Sequence, residues 1–295
     1  MVLLKDILDL TREFAKQKDA NTLTISECIN QKIEEGLREF APVRKPLTLY
    51  RFVSFPSLSH KESKANINPI INDILSGGVT LGNPANFNDP FDPILKTWAD
   101  LQRKEAKVVR HALKDMTSHI RIGCFVREPQ TPFVYDGQTL ELYHPYENTL
   151  MWGHYAKGHR GICIKYKIVP EIFNKYNTAN SKLCIGDVRY REHKSLSNDI
   201  SFDNALLAKS SNWLYEHETR LIYFQKDISD WVDVDGHTQD YISLDGFCIE
   251  AVYMGLKISP KRKEEIIDVV KGRNIDLYEM DFDPYDITKI FAVNV

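Results

Sequence analysis

The chain has 295 residues, 43% of them hydrophobic and 11% aromatic, enough to fill the core of one large domain or of a domain with an appendage. Its 38 basic and 41 acidic residues leave a net charge of −3, which gives little overall pull toward nucleic acid or an anionic membrane, although a local basic patch is compatible with that balance. Five scattered cysteines without a CxxC pair argue against a disulfide framework or a zinc knuckle, no run of 18 apolar residues occurs, and MVLLKDILDL is broken by Lys5, Asp6 and Asp9, so the expectation is a soluble cytoplasmic protein with no membrane partner.

Residues 3 to 40 read as a helical hairpin, with Leu3, Leu4, Ile7, Leu8 and Phe14 on one stripe and Ile25, Ile29, Ile33, Leu37 and Phe40 on a second. Thr24 and Glu27 have the spacing of a capping box. After the punctuation APVRKP, a division at residue 46 separates the hairpin (1–46) from the main body (47–295), which opens with the strand LTLYRFVSF. A helix ending near Leu75 before Gly77 and Gly78, the short strand VTLGNP, a turn-rich NPANFNDPFDP loop, one charged helix over 100–119, the buried strand IRIGCFV and a long loop over 127–147 follow. In LMWGHYAKGHRGICIKY, Asn148 caps a helix whose Trp152, Tyr155 and Ala156 face inward, Gly158 ends it, and a strand runs from Gly161 to Tyr166. A helix near 203–210, the strands WLYEHETRLIYF and FCIEAVYMGL, a helix from Ser259-Pro260 to Lys271, and the strands NIDLYEMDF and KIFAV complete the chain. Strands outnumber helices without regular alternation, so the fold class expected is α+β: a mixed, mainly antiparallel sheet core with flanking helices and an N-terminal helical hairpin.

YEHETR is the most informative stretch. As an extended strand it puts Glu216, Glu218 and Arg220 on one face, with the two carboxylates about 7 Å apart. Such a pair can take a ribose diol or stabilise a developing cation; on composition alone the plainer reading is a solvated strand face paired with an arginine. Arg51, in the apolar strand LYRF, suits a phosphate or carboxylate, or else an internal ion pair with one of those glutamates. FNDPFD places Asn88 and Asp89 before Pro90 in an Asx-type turn anchored by Phe87 and Phe91, a rigid polar tip able to frame a pocket or simply to turn the chain. His154 and His159 straddle a helix end and need not share a face, so no metal is expected, and His154 reads better as a polar pocket residue.

The order LYRF, GGVTLGNPANFNDPFD, Cys124-Phe125, LMWGHYAKGHRGICI, WLYEHETR and VYMGLKIS resembles the prokaryotic family catalogued as domain of unknown function 2971 (DUF2971), over about residues 47–295. More loosely, Arg51 on a first core strand, a following helix and second strand, and the late Glu216-His217-Glu218 pair resemble ADP-ribosyltransferase-type domains, although a Ser-Thr-Ser motif is missing. That resemblance implies a bacterial enzyme using NAD as substrate, an ADP-ribosyltransferase or NAD glycohydrolase of a toxin or phage-defence type. Glu218 is then the catalytic carboxylate and Glu216 the group that positions an acceptor. Arg51, Asn88, Asp89, His154 and Tyr155 contact the dinucleotide, and the acceptor is a protein or nucleic acid. The rival readings are a metal-dependent nuclease or phosphodiesterase built on His154, His159, Glu216 and Glu218, and a non-enzymatic interaction module.

Overall fold

The computed structural model describes residues 1–17, 22–55, 69–89, 91–128, 133–135, 138–140, 144–192, 199–232, 239–286 and 289–295. Among them ten strands join in one sheet: β1 (Leu47–Val53), β2 (Val79–Gly82), β3 (Ile120–Arg127), β4 (Ile162–Ile168), β5 (Ser181–Asp187), β6 (Glu218–Gln225), β7 (Tyr241–Leu244), β8 (Cys248–Met254), β9 (Asp276–Phe282) and β10 (Ile290–Asn294). The order is β7-β2-β3-β1-β4-β8-β9-β10, with β6 on the opposite side of β3 and β5 beyond it. Only β8 and β9 run parallel, so the sheet is mixed and mainly antiparallel and the fold is α+β.

The helices are α1 (Leu4–Phe14), α2 (Thr22–Leu37), α3 (Pro69–Ser76), α4 (Ile94–Leu101), α5 (Lys107–Ser118), α6 (Thr149–Tyr155), α7 (Glu171–Tyr176), α8 (Phe202–Leu207) and α9 (Pro260–Val270). They cover both faces of the sheet. On β6, Leu221 and Tyr223 join a core with Ile74 of α3, Phe173 of α7 and Ile266 of α9, while Ile222 and Phe224 join a second core with Ile7 of α1, Ile29 of α2, Trp98 of α4 and Leu113 of α5. Burial on both faces explains why LIYF is apolar without alternation. Leu4, Ile7, Leu8, Ile25, Ile29 and Ile33 have no exposed surface, and each such side chain is worth about 1.5–3 kcal/mol, so the hairpin is cemented to the sheet through this second core.

Several elements differ from expectation. The charged helix over 100–119 is two helices, because the chain turns after Leu101 and the turn is held from α1: Arg12 grips Glu105 through Nε at 3.1 Å and Nη2 at 2.6 Å. Helix α2 begins at Thr22, so Thr24 lies inside it rather than capping it. Strand β5 and helix α7 were not anticipated, and in 127–147 the described residues form a small pair, Phe133–Tyr135 with Gln138–Leu140, and a 3-10 turn at Pro145–Glu147.

Candidate functional site

Strand β1 pairs with β3 over only two positions, Leu49 with Arg127 and Tyr50 with Val126, whereas it follows β4 along its whole length. Strand β2 meets β3 at one position, Gly82 with Ile122. Where β1 leaves β3, a cleft of about 600 Å³ opens, a size that fits a nucleotide-sized ligand. Arg51 stands on its β1 wall. Its Nη1 donates to the Thr80 carbonyl, its guanidinium carbon lies 5.6 Å from the Phe125 ring centre, and among the described residues no carboxylate pairs with it. The alternative of an internal ion pair between Arg51 and the glutamates is therefore not what forms.

Glu216 and Glu218 line the same cleft, but not as neighbours on one strand. Residues Ser211–Glu216 form a 3-10 helix, His217 takes a left-handed conformation (φ 42°), and β6 starts only at Glu218. The extended reading of YEHETR is corrected accordingly: tertiary ties, among them Asn148 Nδ2 donating to the Tyr215 carbonyl at 2.9 Å, override the β pattern of WLYEHET. Nor is the pair a solvated face, since Glu216 is 3% and Glu218 4% exposed.

Two buried cations compensate these carboxylates. Lys209 Nζ donates to Glu216 Oε2 and, at 2.7 Å, to Glu218 Oε2; Arg220 Nε donates to Glu218 Oε1 at 2.7 Å. Lys209 is placed by a short parallel pairing of Ala208–Ser210 with Arg189–Arg191, and the Tyr190 hydroxyl of that pair accepts from the Glu218 backbone N–H at 2.8 Å. Arg220 also donates from Nη2 to Asp92 Oδ2 at 2.6 Å and from Nη1 to the Leu206 carbonyl at 2.5 Å. Asp92 is 2% exposed and lines the cleft, and its second oxygen, Oδ1, has no hydrogen-bond partner among the described residues. A buried acceptor without a partner is uncommon and marks Asp92 as a polar residue held at the cleft wall by Arg220.

The network splits the two glutamates electrostatically. Burial pushes the Glu216 carboxyl up; the ammonium of Lys209 opposes this, the charge of Glu218 adds to it, and the result is about 7. Burial acts on Glu218 too, but Arg220 and Lys209 outweigh it and hold that carboxyl well below the usual range. Glu218 is thus a fixed negative charge, while Glu216, which accepts from the Tyr155 hydroxyl at 2.5 Å, exchanges its proton near neutrality. Groups pushed apart in this way have the makings of distinct acid-base roles.

The other expected contacts divide. Tyr155 lines the cleft, and so do Asn88 and Asp89; Asp89 Oδ1 accepts from Phe91 N at 2.9 Å, which is the Asx-type turn. Pro90 lies outside the described residues. Phe87 anchors the loop, its ring centre 5.7 Å from the Arg220 guanidinium carbon, whereas Phe91 is 59% exposed and is not a buried anchor. His154 is not a lining residue. One position before Tyr155 on α6, it is turned about 100° away, exposed against the rings of Trp213 and Tyr215. His159 stacks on Trp152, with ring centres 5.9 Å apart, and like His154 it does not line the cleft. Sequence reasoning missed Lys209 and Asp92. The only available hint was a lysine inside the apolar run NALLAKSSNWL.

Residues 151–221 match the family model described as protein of unknown function (DUF2971). Over that stretch the chain is similar to this family. No curated protein and no solved structure matches the chain. The matched residues 151–221 include Tyr155, Lys209, Glu216, Glu218 and Arg220, whereas Arg51 and Asp92 reach the cleft from outside them.

Proposed function

We propose that the cleft binds NAD and cleaves its nicotinamide–ribose bond, either hydrolysing it or passing ADP-ribose to a protein or nucleic-acid acceptor, as in a bacterial toxin or phage-defence enzyme. The observation that carries the reading is that Arg51 and the Glu216/Glu218 pair, 165 residues or more apart in sequence, face one cleft of nucleotide size. Arg51 has spent one of its five donors on Thr80, and the rest suit a pyrophosphate. The aromatic side of the cleft at Phe125, Tyr155 and Trp213 offers faces for the rings.

In the reaction the ribose C1–N bond breaks and its electron pair leaves on nicotinamide, which departs neutral. The ribose acquires oxocarbenium character, stabilised by the fixed charge of Glu218. Water, or an acceptor nucleophile, forms the new bond to C1 and gives its proton to Glu216, which is poised for this by its position near neutrality. Release of nicotinamide from NAD tests the reading. Wild-type protein is expected to release it, and Glu218→Gln to do so about a hundredfold more slowly or worse. Wild-type protein that neither binds nor consumes NAD sinks the proposal.

A further inference from the structure

A second concavity, of about 530 Å³, lies between α4 and α5 and is lined by Arg103, Lys107, Arg110, His111 and Lys114, with Asp100 as its acidic member. Lys107, Arg110, His111 and Lys114 follow the i, i+3, i+4, i+7 pattern that puts them on one stripe of α5, opposite the stripe Val109, Ala112, Leu113 and Met116 that is buried in the core. Lys114 pairs with Asp100 at 3.3 Å, while Arg103, Lys107 and Arg110 have no carboxylate partner among the described residues. In a chain whose net charge is −3, this concentration of uncompensated cations is local.

Two further features give the groove the character of an anion site. Helix α5 is 12 residues long, its N-cap Ala106 offers no side-chain cap and its first turn holds no acidic residue, so the positive end of the helix and its free N–H groups add to the cations. The Arg110 Nε is buried and has no acceptor among the described residues. An N–H so placed needs an oxygen.

We infer that this groove docks the sugar–phosphate backbone of a nucleic acid, independently of sequence. The stripe from Lys107 to Lys114 runs about 10 Å along the helix, longer than a single phosphate and suited to successive ones. An acidic protein partner would need an apolar anchor, and the lining offers only Ala99. No Phe, Tyr or Trp lines the groove and its one ring is the imidazole of His111, so the contact is chiefly to phosphates rather than to stacked bases. The inference stands apart from the reading of the cleft, which neither requires it nor is required by it.

Fluorescence anisotropy with a labelled 20-base-pair duplex of arbitrary sequence tests it. With four permanent cations in contact, affinity is expected to fall about a hundredfold between 50 and 200 mM salt. Lys107→Glu with Arg110→Glu should weaken binding at 50 mM salt by about tenfold or more, and the milder Lys107→Gln with Lys114→Gln by less, both with an unchanged thermal midpoint and unchanged nicotinamide release. Three results overturn the inference: no binding at 50 mM salt, equal binding by the charge-reversed protein, or displacement of the duplex by poly-glutamate as effectively as by unlabelled duplex, which would assign the groove to an acidic protein.

Discussion

The Tyr155 hydroxyl donates to Glu216 Oε1 at 2.5 Å, and the same carboxylate takes the Lys209 ammonium on its other oxygen. A buried glutamate with two donors is stabilised as the anion, yet burial and the neighbouring Glu218 still leave it near 7. If Glu216 is the base, nicotinamide release must rise with pH through about 7, because only the deprotonated form can take a proton. The rise should vanish in Glu216→Gln. Tyr155→Phe removes a donor to the anion, so its pH profile should move upward; a profile that stays in place would separate Tyr155 from the titrating group.

The same group makes a statement about stability. A carboxyl whose folded pKa is raised favours folding fully at pH values below its unfolded range and loses that contribution as pH rises through the folded value. The stability of wild type relative to Glu216→Gln should therefore decline between about pH 5 and pH 8, a window set by the shift to about 7. Urea unfolding at four pH values measures it. A difference that is flat with pH would place the titration elsewhere.

Lys209 is the counter-charge that lets two carboxylates stand together in the interior, with Asp92 Oδ2 a further 3.8 Å from its Nζ. Lys209→Met keeps the length and removes the charge. Leaving Glu216 and Glu218 with one cation between them should cost about 3–5 kcal/mol at neutral pH, the range for breaking a buried ion pair by removing one partner. Because Glu216 can then take a proton more readily, the loss should shrink in acid. A Lys209→Met protein as stable as wild type at pH 8 would show that water already screens the cluster.

How much of this was legible follows from where each residue gets its conformation. Arg51 was readable because LYRFV carries its own strand pattern, and the structure keeps it as β1. Glu216 and Glu218 were readable as residue types but not as geometry, since the left-handed turn at His217 is set by contacts with residues such as Asn148, 67 positions before Tyr215. Lys209 and Asp92 could not be found locally at all. Asp92 is held by Arg220, 128 residues away, and no periodicity within FNDPFD announces that its last aspartate turns inward. His154 and Tyr155 show the resolution limit of a helical reading: adjacent positions on a seven-residue helix fall on different sides, and only packing decides which one meets the cleft.

Glycines in the matched segment give a sharper test of the fold around the site. A Cβ on Gly161 would lie 2.1 Å from the Val53 carbonyl oxygen, on the strand that carries Arg51. Gly161→Ala must push β1 and β4 apart at the cleft and should cost about 3 kcal/mol, with loss of ligand binding. Gly153, on α6, has nothing within 4 Å of the corresponding position, so Gly153→Ala should be neutral or stabilise by up to about 1 kcal/mol. Thermal unfolding of the pair decides; equal effects would contradict the packing of β1 on β4.

Arg51 and Glu218 should separate binding from chemistry. A pyrophosphate is present in the ground state and in the transition state alike, so Arg51→Ala removes an interaction common to both and should raise KM for NAD about 10- to 100-fold, with a far smaller change in kcat. Arg51→Lys keeps the charge but loses the fork and should fall between. Glu218→Gln should act on kcat instead, since the cation it faces exists only as the bond breaks. Both variants need a thermal midpoint beside the kinetics, because Arg51 also ties β1 to the Thr80 carbonyl and Glu218 also anchors Arg220. If Arg51→Ala lowers kcat with KM unchanged, its role lies in holding β1 against β2 rather than in gripping the diphosphate, and the assignment of the cleft's phosphate end fails.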